Sequence, residues 1–200
     1  MMGRWSGALS RWLAVPLAGL VIGAGATRVA LPRLAGGSLP IVVGPWHTST
    51  TVGSAAANPY VRAEIARTGL LALNRAETIY FEARTDDEGR PLRAACAYDI
   101  AGGAIASRWW SITAYGDDFF LIPNAEKRFS ATAATLHKTA DGAFTIALGP
   151  TRRGVDWLPT GDMGGGFNLL VRLYNPEPGI ALEPGRAKLP GIKRVGACAS

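Results

Sequence analysis

Two hydrophobic patterns divide this chain. From Trp12 to Ala26 the run WLAVPLAGLVIGAGA carries no charge, whereas beyond Leu70 apolar and polar residues alternate in short stretches. The uncharged run, about 15 to 17 residues, falls just short of the ~20 that a bilayer-spanning helix needs, and Pro16 with three glycines weakens it as a helix. Arg4 and Arg11 precede it, and Arg28 and Arg33 follow.

Two readings of this segment are open. As an uncleaved anchor it holds Arg4 and Arg11 in the cytoplasm and sets Trp5 and Trp12 near the inner interface. As a signal peptide it offers the small residues Ala24, Gly25 and Ala26 just before Thr27. The closely following Arg28 and Arg33 favour the anchor. In both readings the rest of the chain lies on the non-cytoplasmic side. For the anchor this means a single-pass bacterial inner-membrane protein facing the periplasm. Residues 1–27 are thus the anchor or signal segment, 28–38 a Pro/Gly-containing linker, and 39–200 one folded domain.

Within that domain Leu39 to Val43 reads as a first strand, stopped by Gly44-Pro45. Asn58 before Pro59 is a helix start, because the Asn side chain caps and proline at the first position forfeits no hydrogen bond. Gly69 supplies the stop, giving one short helix over about 59–68. Period two then takes over. In Thr78 to Arg84, Ile79, Phe81 and Ala83 alternate with Tyr80, Glu82 and Arg84. After a turn at Asp87-Glu88-Gly89, Leu92, Ala94, Cys96, Tyr98 and Ile100 share one strand face, so Cys96 should point inward. Trp110, Ile112 and Ala114 form another inward set. Asp141-Gly142 predicts a hairpin between Thr135–Lys138 and Phe144–Leu148. Phe167, Leu169, Val171 and Leu173 face inward from a last strand. The prolines between Asn175 and Gly191 predict extended coil wrapped over the domain. The pattern predicts an all-β antiparallel β-sandwich with one short helix and an N-terminal hydrophobic anchor helix.

Composition agrees: 25 glycines and 13 prolines among 200 residues suit a turn-rich β protein. The net charge of +6 is spread over positions such as Arg67, Arg84, Arg108 and Arg152, without the basic face of a nucleic-acid binder. This leaves weak attraction to anionic headgroups or acidic polymers. Cys96 and Cys198 read as a disulfide pinning the C-terminus to the core of an exported domain, or as two unpaired thiols.

The order of motifs from Leu70 to Pro190 resembles the domain of unknown function 1214 family, in its short, membrane-anchored bacterial form. Five matches carry it: Tyr80-Phe81 with Asp86, Gly89 and Leu92; Trp110 to Tyr115; Asn124 with Arg128-Phe129-Ser130; Trp157-Leu158-Pro159; and Arg172-Leu173-Tyr174 before Pro176. The resemblance implies a jelly-roll-like sandwich and brings no reaction with it. Gly116 follows Tyr115 where an Asp is expected, and Asp156 precedes Trp157 where Asn is common.

The chain has no GxSxG, CxxC or HExxH, and His47 and His137 stand apart. No metal site, cofactor or catalytic set is indicated. The Gly-rich loop 161–166 precedes a strand rather than a helix, so it offers no phosphate-binding helix terminus. Asp117-Asp118 reads as a turn. A hydrolase would need two of Glu82, Asp99, Asp117 and Asp118 to converge. The ligand-binding candidates are the outer-face residues Trp109, Thr113, Tyr115, Arg172 and Tyr174, with Asn124, Arg128 and Trp157 added from loops. Asn168 shares that face. Aromatic rings beside amide and guanidinium donors suit a sugar or an anionic small molecule. The alternative is that this face is buried and Arg172 sits in a structural ion pair. A non-catalytic envelope module that binds carbohydrate or a membrane-protein partner is the leading expectation.

Overall fold

The computed structural model describes residues 6–35, 40–70, 72–161, 164–196 and 198. The first element, α1 (Ser6–Ala35), runs straight through Pro16 and spans 30 residues. Its segment Leu13–Ala30 is long and apolar enough to cross a membrane, about 27 Å at 1.5 Å per residue. This is consistent with a single-pass anchor. Trp5 lies outside the described residues. Leu13 to Val29 are exposed and Ala30 is half-buried, so α1 meets the rest of the protein at its C-terminal end, against α2 (Pro59–Thr68).

The strands are β1 (Ile41–Val43), β2 (Trp46–Thr48), β3 (Thr78–Ala83), β4 (Tyr98–Gly102), β5 (Ser107–Gly116), β6 (Ser130–Thr132), β7 (Phe144–Gly149), β8 (Trp157–Pro159), β9 (Phe167–Pro176) and β10 (Gly191–Arg194). They form a six-stranded sheet, β1-β2-β3-β9-β5-β6, and a four-stranded sheet, β10-β4-β7-β8. One core lies between them, with Phe81, Ile112 and Leu169 from the first sheet meeting Ile100, Ile146 and Ile192 from the second. Tyr98 packs edge-on against Phe167, and Trp110 packs at a tilt against Phe144, so aromatic pairs cross between the sheets.

The architecture corrects the expected all-β antiparallel jelly roll. Both sheets are open rather than closed on one another, β7 and β8 pair in parallel, and three α-helices are present among the described residues. Alternation of apolar residues reports which side of a strand faces the core; it carries no information about strand order. Here β9 enters between β3 and β5 across a long stretch of chain.

Two local expectations also change. Residues 135–138 form no strand beside Asp141-Gly142, because Thr132 captures the amides of Thr135 and Leu136 in a turn. Instead β7 pairs with β4 and β8. The proline-rich C-terminal stretch is not all coil: Pro178 opens a short helix, α3 (Pro178–Leu182), from the one position where proline sacrifices no hydrogen bond.

Other readings hold. Leu92, Ala94, Cys96, Tyr98 and Ile100 are all buried as the alternation requires, although the strand itself begins only at Tyr98. Cys96 and Cys198 form a disulfide with Cα atoms 4.1 Å apart, closing 102 residues of chain. The loop after β3 also fastens the C-terminus. Asp87 exchanges hydrogen bonds with Ile192 on β10, at 2.9 Å in each direction.

Candidate functional site

The outer face of the six-stranded sheet is largely covered, and what covers it is the segment between β2 and β3. Asn58 caps α2 by accepting from the Val61 amide at 2.9 Å, and Gly69 ends it in the left-handed conformation. Within α2, Val61, Glu64, Ile65 and Thr68 follow the i, i+3, i+4, i+7 spacing of one helix face, and all four turn toward the sheet. Gly53 anchors the preceding loop. Its φ of 72° suits glycine, its carbonyl accepts from the Arg75 amide at 3.0 Å, and a Cβ there would collide with the Leu73 carbonyl. The Tyr80 hydroxyl accepts from the Leu73 amide at 2.9 Å, so this covering segment is tied to the sheet it overlies.

Between α2 and the sheet a cleft of about 430 Å³ remains, within the range of small-molecule sites. Its walls are mostly apolar: Val52, Val61, Ile65, Leu70, Phe119 and Leu170. The floor is polar. Arg172 donates to the Thr113 hydroxyl at 3.3 Å and to the Tyr115 hydroxyl at 2.7 Å, with its guanidinium 5.5 Å from the Tyr115 ring centre. Opposite Arg172 in the sheet register is Ser111, so its side chain reaches along β5 toward residues two and four places on. Glu82, also in the cleft, pairs with Arg84 at 2.7 Å, and Arg84 lies 5.2 Å from the Phe119 ring. Glu64 pairs with Arg67. Among the described residues Arg172 has no carboxylate within ion-pair distance, so the expected structural ion pair does not form.

The sequence candidates therefore separate. Tyr115 and Arg172 come together at the cleft floor, which Asn168 also lines, and Thr113, outside the lining, joins them through its bond to Arg172. Trp109 and Tyr174 form a ring pair 5.0 Å apart farther along the same face, with Trp109 36% exposed. The other three are elsewhere. Asn124 holds its own loop by bonds to Ile122 and Arg128. Arg128 reaches the Val155 carbonyl and lies 3.9 Å from Asp156. Trp157 is buried and donates to the Gly149 carbonyl at 3.0 Å.

The carboxylates named for a hydrolase are also divided. Glu82 lies on the outer face of the six-stranded sheet, whereas Asp99 belongs to the other sheet and pairs with Arg153 at 3.0 Å. Asp117 and Asp118 follow β5 in a turn, and Asp118 accepts from the Phe120 amide. His137 has a partner that the sequence did not suggest: its Nδ1 is 3.1 Å from Asp156.

Sequence reasoning missed the cleft walls from α2, the Val52 loop, and the Glu82–Arg84–Phe119 group. One signal was available. The 61/64/65/68 spacing marks a helix face that must meet something.

Comparison with known proteins adds to the fold. The crystal structure of the VPA0106 protein from Vibrio parahaemolyticus is similar at a TM-score of 0.61 and 23% identity, over 88% of this chain and 44% of that one. The chain thus spans less than half the length of that protein. The crystal structure of an uncharacterised protein from Burkholderia cenocepacia gives 20% identity over 62% of this chain and 31% of that one, at a TM-score of 0.39. No curated protein matches the chain. The family model described as protein of unknown function (DUF1214) matches residues 77–178, a stretch that supplies the cleft floor but stops short of α2. The matched stretch covers just over half of the sequence, and the chain belongs to the DUF1214 family.

Proposed function

We propose that this protein is a membrane-tethered, non-catalytic binding module of the bacterial envelope, facing the periplasm, whose ligand occupies the cleft beneath α2. The observation that carries this reading is Arg172. A half-buried guanidinium gives up part of its hydration, and two neutral hydroxyls replace only some of it. A cation held in that state at the floor of an apolar cleft is prepared for a ligand rather than for a structural partner. The Cys96–Cys198 disulfide supports an oxidising compartment, and residues 39–200 serve as the binding domain.

The test is native mass spectrometry of the full chain extracted in native-lipid nanodiscs, beside Ile65→Trp, which fills the cleft. A bound mass at one per chain in the wild type, and lost in the variant, is the expected result. Equal occupancy in both, or none in either, would remove the reading. For orientation, alkaline phosphatase fused after Ser200 should be active, and an inactive fusion places the domain in the cytoplasm.

A second reading rests on the Trp109–Tyr174 pair, whose half-exposed rings suit stacking against a sugar. It assigns carbohydrate to a surface distinct from the cleft.

A further inference from the structure

We propose that the cleft receives the acyl chain of an anionic single-chain amphiphile drawn from the bilayer that α1 enters, with the acidic head seated on Arg172. This names the ligand class of the binding reading above and rests on it.

Position is the first argument. The segment Leu13–Ala30 is the apolar span of α1, and α1 meets α2 at the end of that span. The roof of the cleft therefore sits where the chain leaves the membrane. At the cleft margin Phe119 is followed by Phe120 and Leu121, which are 74% and 44% exposed. Exposed apolar side chains beside an apolar cleft suit a surface that meets lipid.

The chemistry of the lining separates an amphiphile from a sugar. A sugar needs many unengaged donors and acceptors, whereas several of those at the cleft floor are already engaged. The Thr113 and Tyr115 hydroxyls accept from Arg172, and the Asn168 amide donates to the Gly116 carbonyl at 3.1 Å. Val52, Val61, Ile65 and Leu170 offer only apolar contact. Charge then selects the head group. Glu82 is matched by Arg84 and Glu64 by Arg67, which leaves Arg172 as the cleft cation without a carboxylate partner among the described residues. Guanidinium binds carboxylate or phosphate through charge-assisted hydrogen bonds.

The experiment uses the full chain in phosphatidylcholine nanodiscs with diazirine-bearing hexadecanoate, compared with the matching hexadecanol. Peptide mapping reads labelling in 59–70 and 167–176 relative to α1, which the membrane-dissolved probe labels in every sample. The acid should exceed the alcohol at the cleft by about tenfold, the worth of one charge-assisted hydrogen bond, and Arg172→Gln should erase that preference. Both Ile65→Trp and Val52→Trp should lower the cleft-to-α1 ratio by a similar factor while leaving the far-UV spectrum unchanged. Labelling confined to α1, or indifferent to both tryptophan variants, overturns the proposal. If the mass bound in the native nanodiscs lacks an acyl chain, this inference fails and the binding module stands; if nothing occupies the cleft in either experiment, both fail.

Discussion

The Arg172 guanidinium donates to the Tyr115 hydroxyl at 2.7 Å across two paired strands, and among the described residues no carboxylate lies within ion-pair distance of it. The strength of that link is measurable. Tyr115→Phe should cost about 1 kcal/mol and lower the melting temperature by about 2–4 °C. Arg172→Met should stay within about 1 kcal/mol of wild type, because it removes a poorly compensated charge and keeps the aliphatic stem. A cost of about 3–5 kcal/mol for Arg172→Met, read by urea unfolding, would make it a structural strut and withdraw the anion-binding role.

The disulfide should dominate the stability of the C-terminal edge. Because Cys96 and Cys198 close 102 residues, the chain-entropy estimate is about 4–5 kcal/mol. Cys96→Ser should shift the urea midpoint downward by a corresponding amount and speed hydrogen exchange first in β10, the strand nearest Cys198. An unchanged midpoint would show that the Asp87–Ile192 bonds hold this edge unaided.

Asp86 gives the protein an acid-sensitive latch. Burial pushes its carboxyl upward, but hydrogen bonds from the Arg90 amide and guanidinium and from the Glu88 amide outweigh this and hold it below the usual carboxylate range. Since the folded value lies below the unfolded value of about 3.9, the contribution is complete above that pH and is lost as pH falls through the folded value. Urea midpoints taken from pH 5 downward should therefore fall less steeply in Asp86→Asn than in wild type. Parallel slopes would refute the latch.

The cap of α2 should control the cleft without touching its floor. Asn58→Ala removes the bond to the Val61 amide and should cost about 1 kcal/mol. Amide exchange over Pro59–Thr68 should accelerate while β9 stays protected. Equal acceleration of both would mean that helix and sheet open as one unit.

The carbohydrate reading has its own test. If Trp109 and Tyr174 stack on a sugar, glycan-array binding by the full chain should vanish in Trp109→Ala and persist in Ile65→Trp. Binding that survives Trp109→Ala removes this surface from consideration.

Inward-facing positions were legible because strand alternation follows directly from backbone geometry: Phe167, Leu169, Val171 and Leu173 are buried as read. On the opposite face the same rule leaves two outcomes open, a ligand surface or a second buried layer. Thr113 and Asn168 are 5% and 2% exposed, so the buried alternative holds at both, and Asn168 lies in the cleft beneath α2. Asn124 and Trp157 have residue types that suit a ligand site, and type alone does not distinguish a ligand donor from a side chain holding its own loop.

By itself the sequence determined the local elements and their chemistry: an apolar N-terminal helix, the limits of α2 through Asn58, Pro59 and Gly69, the inward Cys96, and the family. The elements follow from interactions within a few residues or from one repeating period, and the family from the order of motifs along the chain. Tertiary structure alone decided that β9 inserts between β3 and β5, that β8 lies parallel to β7, and that α2 roofs Arg172 to make a cleft. Those outcomes depend on which distant surfaces bury one another, and local periodicity fits many such pairings equally well.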